Sequence, residues 1–405
     1  MGLPSKRLII SGAVALAIGM ALSGTNGARQ SSISSSDGRN QRQSVFALPF
    51  EGTASAQTGS APQMTEKYFK NVTAMTGIPV DEFMGEMGLF SAALSYCCGD
   101  CHVDAGTDNP DWASDKKPTK VIARRMVLML AAINKQNFGG GSQVTCWTCH
   151  RGSPNPAKTP APDVIYGDPL FFAEDVLKPA GPGSGTPTVD QIFDKFTQAM
   201  GGAAKVAALT SYHATGTSNL YEEVVKFPTD IWAKAPNQGS VDVHTRGGDS
   251  VRLSDGSHSW VQLPLTVVKE YPLTGSMLEG GKLEAELLLP GRLRTYLTNW
   301  KVALPTTING RGVWTVQGTG NNGLVGTFYF DKQTGLMTRY IRYVTTNIGR
   351  VPTQIDYSDF KPVAGVMMPF KWTYQWISGK EEYEIASYQA NAAIDASKFA
   401  EPKLK

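Results

Sequence analysis

Cysteine and histidine are scarce in this chain, five of each in 405 residues. Four of the cysteines fall in two short motifs, so only Cys97 is left over and no disulfide pair can form in the remainder. Charge is nearly balanced: 38 Lys and Arg stand against 35 Asp and Glu, a net +3 with no run of basic residues. That balance argues against a nucleic-acid partner and lends little support to binding at a membrane surface. Long apolar runs are also missing. The longest, Leu8 to Leu22, is short for a span of ~20 residues. With Lys6 and Arg7 ahead of it and Ser23-Gly24 and Gly27-Ala28 behind, residues 1–28 read as a cleaved secretory signal. No cysteine lies near it to carry a lipid anchor.

The scarce residues are concentrated. Cys98-Gly99-Asp100-Cys101-His102 and Cys146-Trp147-Thr148-Cys149-His150 both read C-x-x-C-H, the attachment signature for c-type haem. Two thiols three residues apart reach the two vinyl groups of one porphyrin, and the adjacent His lies under the iron. Zinc would accept four thiolates, but it does not require a His directly after each second Cys. The sequence therefore predicts two covalently bound haem c groups, on Cys98, Cys101, Cys146 and Cys149, with His102 and His150 on the irons.

An iron that only carries electrons needs a sixth ligand, and Met/His coordination raises its potential. Upstream of the motifs, residues 81–94 and 119–134 have helical periodicity, and each carries a Met pair at i, i+3, Met84 with Met87 and Met126 with Met129. Most Met are core filler. Position ahead of a haem motif favours a ligand role for one of each pair. Gly85, Gly88, Ala92, Ala131 and Ala132 are small enough to let a flat macrocycle approach these helices. The stretch is one unit used twice: Met helix, loop, C-x-x-C-H. Another wiring stays open, because Met126 lies downstream of His102 and could serve the first iron.

At these residues the segment from about Thr65 to Pro160 resembles the cytochrome subunit of photosynthetic reaction centres, in a shortened two-haem form. The matching residues are Met87 to Cys98, Ala123-Arg124-Arg125-Met126, Met129, Ile133-Asn134, and Val144 to Gly152 with Pro156. The resemblance implies Met87 and Met126 as sixth ligands, with Met84 and Met129 one turn away as alternates. It also implies an electron carrier that re-reduces a photo-oxidised pigment pair. The family usually carries four haems, one with two His ligands, whereas this chain has five His (102, 150, 213, 244, 258) and no third C-x-x-C-H.

Residues 29–63 are rich in Ser, Gln, Gly and Ala and read as a disordered linker. Residues 62–76 resemble a short helix closed by Gly77 and Pro79. The polar loop 104–118, with Asp104, Asp108, Asp111 and Asp115, reads as solvated. Pro and Gly accumulate from Arg151 to Gly185 and mark a boundary, with 163–177 expected to pack back on the second haem through Phe171 and Phe172. Residues 189–200 and 203–209 read as helices. After Ser211 alternating segments follow at 223–227, 240–244, 313–316, 326–330, 339–344 and 370–376, punctuated by turn signals such as Asn309-Gly310 and Ser378-Gly379. Their spacing argues an antiparallel meander.

Asp255-Gly256, Trp260, Phe330 to Leu336, Asp356-Tyr357 and Gly365 to Pro369 occur in an order similar to the periplasmic lipoprotein-carrier half-barrel. In that fold a curved antiparallel sheet wraps a helix and encloses an apolar groove. His213, His244 and His258 are scattered, and each reads as a surface or turn residue. The fold expected is multidomain: a signal at 1–28, a linker at 29–63, a mainly α two-haem cytochrome domain at 64–178, a linker at 179–187, and an α+β antiparallel half-barrel at 188–405. The function expected is periplasmic electron transfer without catalysis. Redox proteins in the periplasm or at the inner membrane, with a reaction-centre core among them, are the expected partners, and general periplasmic electron transfer is favoured over photosynthesis. The alternatives are a two-haem peroxidase-like enzyme with an open iron, and a haem-bearing protein that holds an apolar ligand in the half-barrel.

Overall fold

The computed structural model describes residues 62–156, 158–159, 177, 179–181, 185–220, 224–264 and 266–402. The signal, nearly all of the first linker, and the stretch around Phe171 and Phe172 lie outside them. Among the described residues no helix is long and apolar enough to cross a membrane.

The C-terminal part is an open antiparallel sheet of fourteen strands. From β1 (Ser211–Ser218) the chain meanders through β2 (Phe227–Lys234), β3 (Gln238–Thr245), β4 (Gly248–Ser254) and β5 (Ser259–Gln262) to β6 (Glu270–Pro272). A second meander runs from β7 (Thr298–Val302) and the short β8 (Thr306–Ile308) through β9 (Arg311–Thr319), β10 (Val325–Asp331), β11 (Met337–Thr345), β12 (Arg350–Val363) and β13 (Val366–Trp376) to β14 (Gly379–Ala390). The two meanders join where β1 pairs with β14, and β8 branches off β9. Asn309, Asn322 and Gly310 take positive φ at the tight connections, which is why these residue types sit there. The strand expected at 223–227 is displaced: β2 begins only at Phe227, and Val224 is fully exposed.

Between the meanders lies helix 275–288 (Gly275–Leu288), which periodicity did not announce because Gly280-Gly281 interrupts its apolar pattern. Both glycines are contact points. A Cβ at Gly281 would stand 3.0 Å from Leu273 and Ser259, and one at Gly280 would stand 2.8 Å from the Arg342 guanidinium. The helix therefore lies close on the concave face, and its Leu283 and Leu287 join Phe328, Phe330, Tyr340 and Ile355 in the main core. Helix 189–199 (Val189–Ala199), capped by Thr188, adds Ile192, Phe193 and Phe196. Each such fully buried apolar side chain contributes about 1.5–3 kcal/mol.

The segment ahead of the sheet holds α1 (Thr65–Tyr68), α2 (Val80–Leu94), α3 (Cys98–Cys101), α4 (Pro118–Asn137) and α5 (Cys146–His150). The helix expected across 62–76 shrinks to the four residues of α1. Helix α2 packs on the sheet rim. The buried Asp81 carboxylate accepts from the Thr274 backbone N–H at 2.6 Å and its hydroxyl at 3.0 Å, just before helix 275–288. Gly85 and Gly88 serve this same contact: their Cβ positions would lie 3.0 Å from Met277 and 2.5 Å from Ile377. These glycines thus admit Met277 of helix 275–288 and Ile377 of the β13–β14 turn, and they also line the cavity that Met84, Met87 and Cys98 share. Leu89, Val127, Leu130, Ile348 and Val351 form a small core shared by the helical segment and the sheet.

Glu286, on the inner helix, is 0 % exposed. Burial, only partly offset by Arg292 at 3.9 Å, pushes its carboxyl from 4.5 up to about 7. The fold thus retains a proton that the unfolded chain releases, so stability falls as pH rises from about 4.5 to about 7 and is level above. The loss reaches at most about 3 kcal/mol. Denaturant titrations at pH 5 and pH 8 should show a smaller difference for Glu286→Gln than for the parent, and an identical difference would contradict this account.

Candidate haem-binding site

The first motif is a single helical turn, α3, with Cys97 as its N-cap. The Cys97 N–H donates to the Asp100 carboxylate at 2.8 Å. Lys117 Nζ donates to the Gly99 carbonyl at 2.6 Å and the Thr119 hydroxyl to the Asp100 carbonyl, tying α3 to the start of α4. His102 follows directly. Its Nδ1 lies 3.2 Å from the Trp112 carbonyl, with the Trp112 ring edge-on at 5.1 Å. A carbonyl only accepts, so Nδ1 carries the proton and Nε2 keeps a lone pair for a metal. Burial holds the His102 pKa below its usual value, which favours the neutral ring that a ligand needs.

The second motif repeats this plan on different scaffolding. Thr145 caps α5, its hydroxyl accepting from the Thr148 N–H at 3.2 Å. Arg151 and Gly152 turn the chain at positive φ, and His150 Nδ1 lies 3.0 Å from the Ser153 carbonyl. Three anchors hold it. Asn134 of α4 exchanges hydrogen bonds with the Val144 backbone at 2.8 and 2.9 Å, and the Gly152 N–H donates to the Ala93 carbonyl of α2 at 2.9 Å. The Cys146 N–H donates to the Ile348 carbonyl of the β11–β12 loop at 3.3 Å. Burial, then the Glu86 carboxylate, pushes the Cys146 thiol up to about 11.

All five thiols are free. Among the described residues no three His, Cys, Asp or Glu side chains are placed to hold a metal ion, so the cysteines do not form the set zinc takes. The geometry fits haem c instead: paired thiols on one turn, then a His with Nε2 unspent. Met84 and Met87, on one face of α2, line a cavity together with Cys98 and Trp112. Met126 and Met129 are 36 % and 47 % exposed on α4, in a stripe with Ile122 at 46 %, and Trp147 of the second motif is 47 % exposed. Large apolar side chains left open beside a C-x-x-C-H are what a macrocycle would cover.

Several contacts here went unnoticed in the sequence. Glu86 is 0 % exposed, and burial followed by the neighbouring Glu82 pushes its carboxyl up to about 8. Asp115 in the acidic loop is not merely solvated: it pairs with Arg124 at 2.7 Å and accepts from Asn71 at 3.0 Å. His213 and His244 are not scattered. They flank one carboxylate, Asp230, at 2.5 and 2.8 Å from opposite neighbouring strands. Only the pairing register reveals that cluster.

Residues 20–164 match the family model described as the photosynthetic reaction centre cytochrome C subunit. The corresponding subunit of Thermochromatium tepidum is 32% identical over 162 residues, 37% of this chain and 36% of that protein. That of Rubrivivax gelatinosus is 35% identical over 92 residues, 22% of this chain and 24% of that protein. The chain thus spans about a third or less of the length of these curated relatives. Among solved structures, a LolA superfamily protein from Nitrosomonas europaea is 13% identical, with a TM-score of 0.35 over 53% of this chain and 98% of that one. A putative outer membrane lipoprotein-sorting protein domain from Vibrio parahaemolyticus is 12% identical, with a TM-score of 0.36 over 52% and 94%. Through residues 20–164 the chain is similar to the photosynthetic reaction centre cytochrome c subunits.

Proposed function

We propose that this chain is an exported c-type cytochrome that carries electrons on two covalently bound haems, at the periplasmic side of the inner membrane. The observation that carries the reading is the repeated state of the two histidines: each follows a C-x-x-C turn and commits Nδ1 to a backbone carbonyl. Haem, when bound, supplies an iron that gains and loses one electron. Cys98 and Cys101 would hold the first group, with His102 and Met87 on its iron. Cys146 and Cys149 would hold the second, with His150 and Met126. The cavity wall that Met84 and Met87 share with Cys98 supports α2 as the source of the first ligand, and Met84 and Met129 remain alternates one turn from Met87 and Met126. Trp112 and Ser153 orient the histidine rings, while the sheet rim holds α2 and α5 in place.

The relatives' names point to a reaction-centre core as one partner. A half-barrel of about half the chain favours instead exchange with soluble or envelope-bound redox proteins. It would serve as a docking element or as a holder of an apolar ligand in its cavity. Optical and redox titration of protein exported in a haem-attaching host tests the carrier reading. Two covalent haems with Met/His spectra and little carbon monoxide binding are expected. Rapid carbon monoxide binding by a reduced iron would overturn it in favour of a peroxidase-like enzyme.

A further inference from the structure

Loop tips usually stand in water, yet the tip of the β11–β12 hairpin does not. Thr346 and Ile348 are 3% and 1% exposed there, on either side of an exposed Asn347. The tip is braced from within, because the Thr346 N–H and hydroxyl both donate to the Gly349 carbonyl, at 2.8 and 3.0 Å. What covers it is the second C-x-x-C-H segment. The Ser142 hydroxyl donates to the Thr346 carbonyl at 3.2 Å, beside the bond from the Cys146 N–H to Ile348. The Cys146 side chain packs against the cluster that holds Ile348, Leu89 and Val351. Gly349 sets the spacing: a Cβ there would stand 3.4 Å from Leu89 of α2 and 3.5 Å from Thr145, the N-cap of α5.

The first motif has no counterpart to this arm. The bonds that anchor α3 and His102 run to Trp112, Lys117 and Thr119, at most 19 residues away in the chain. The bond from Ser142 to Thr346 crosses 204 residues. The two attachment turns are therefore held differently, the first by its own neighbourhood and the second by the sheet. An attachment turn fixes where its thiols and its ligating ring lie. Burial and ligand orientation in turn set a haem's potential. Cys146 and His150 share α5, so a displacement of the hairpin tip is a displacement of the whole haem-bearing turn.

We propose that Ile348 and Gly349 are positioning residues of the second haem site, through which the half-barrel tunes the potential of that haem and not of the first. The inference rests on the two-haem reading and extends it, giving the sheet a part in the redox chemistry that needs no molecule bound to it.

Redox titration of the exported holoprotein tests it in two single-haem backgrounds. Cys98→Ser/Cys101→Ser keeps only the second haem, and Cys146→Ser/Cys149→Ser keeps only the first. Gly349→Val crowds Leu89 and Thr145 and should change the reduction equilibrium of the second haem on the order of tenfold, leaving the first unchanged. Gly349→Ala, whose Cβ lands at ordinary contact distance, should restore the parent value. Ile231→Ala opens the main sheet core instead, and should lower the melting temperature while moving neither potential. Should Gly349→Val not fold, methyl NMR of the isoleucine-labelled single-haem proteins decides. The Ile348 methyl signals, assigned by their loss in Ile348→Val, should move between the oxidised and reduced forms when only the second haem is present, and stay fixed when only the first is. An unmoved second potential in folded Gly349→Val, an equal shift of the first, a shift as large in Ile231→Ala, or Ile348 methyls blind to the second haem would overturn the proposal. Haem count by intact mass is read first on the parent: fewer than two covalent haems overturns the two-haem reading itself, whereas two haems with an unmoved second potential overturn the positioning role alone.

Discussion

Replacing Cys146 and Cys149 together by Ser should remove one of two covalent haems, so that the intact mass of the exported protein drops by one haem unit. The thioether bonds use the thiols themselves, so the loss should be complete rather than graded. The fold should survive. Cys146 is only partly buried at the edge of the Leu89–Val127–Leu130 cluster, and α5 is held by backbone bonds to Asn134, Ala93 and Ile348 that a serine does not disturb. A change of this kind costs on the order of 1 kcal/mol. Thermal melts of parent and variant, run beside mass spectrometry, separate haem loss from unfolding. Cys97→Ser is the contrast. Cys97 is the N-cap of α3, one position ahead of the helical turn that carries Cys98 and Cys101, and both haems should remain attached. Loss of a haem in Cys97→Ser would mean that attachment uses Cys97 with Cys101, a C-x-x-x-C-H spacing. Two haems retained in the double variant would end the two-motif reading.

What could be read from the sequence is what depends on local chemistry. The C-x-x-C-H spacing needs no tertiary information, and α2 and α4 were legible because their apolar residues recur at helical intervals. The sheet was legible through its turns, since the Asn309-Gly310 and Asn322-Gly323 pairs take backbone angles that other residues resist. What stayed hidden comes from residues distant in the chain. Gly85 and Gly88 read as seats for a flat cofactor, because nothing local announces that Met277 and Ile377 come to rest on them. Asp81 reads as an ordinary first-turn carboxylate until Thr274, 193 residues later, donates to it. The His213–Asp230–His244 contact depends on strand register, and the inner helix was masked by the two glycines that let it pack.

Met87→His should lower the midpoint potential of one haem on the order of 0.1 V, within the range of ~0.8 V that axial ligands span, and abolish one of two sulfur-to-iron absorption bands. A thioether stabilises the reduced iron relative to an imidazole, so the sign is fixed by ligand chemistry. Which haem responds is fixed by the wiring. Met87 lines the same cavity as Cys98 and Trp112, whose carbonyl orients His102, so the first site should change. The second motif also touches α2, through the bond from Gly152 to Ala93, which keeps the crossed arrangement a real competitor. The Cys146→Ser/Cys149→Ser background decides between them, because only the first haem remains in it. There Met87→His should erase the last sulfur band and Met126→His should leave it intact. The reverse outcome would assign Met126 to His102. Erasure by Met84→His alone would move the ligand one helical turn, which the shared face of Met84 and Met87 permits without any change in backbone.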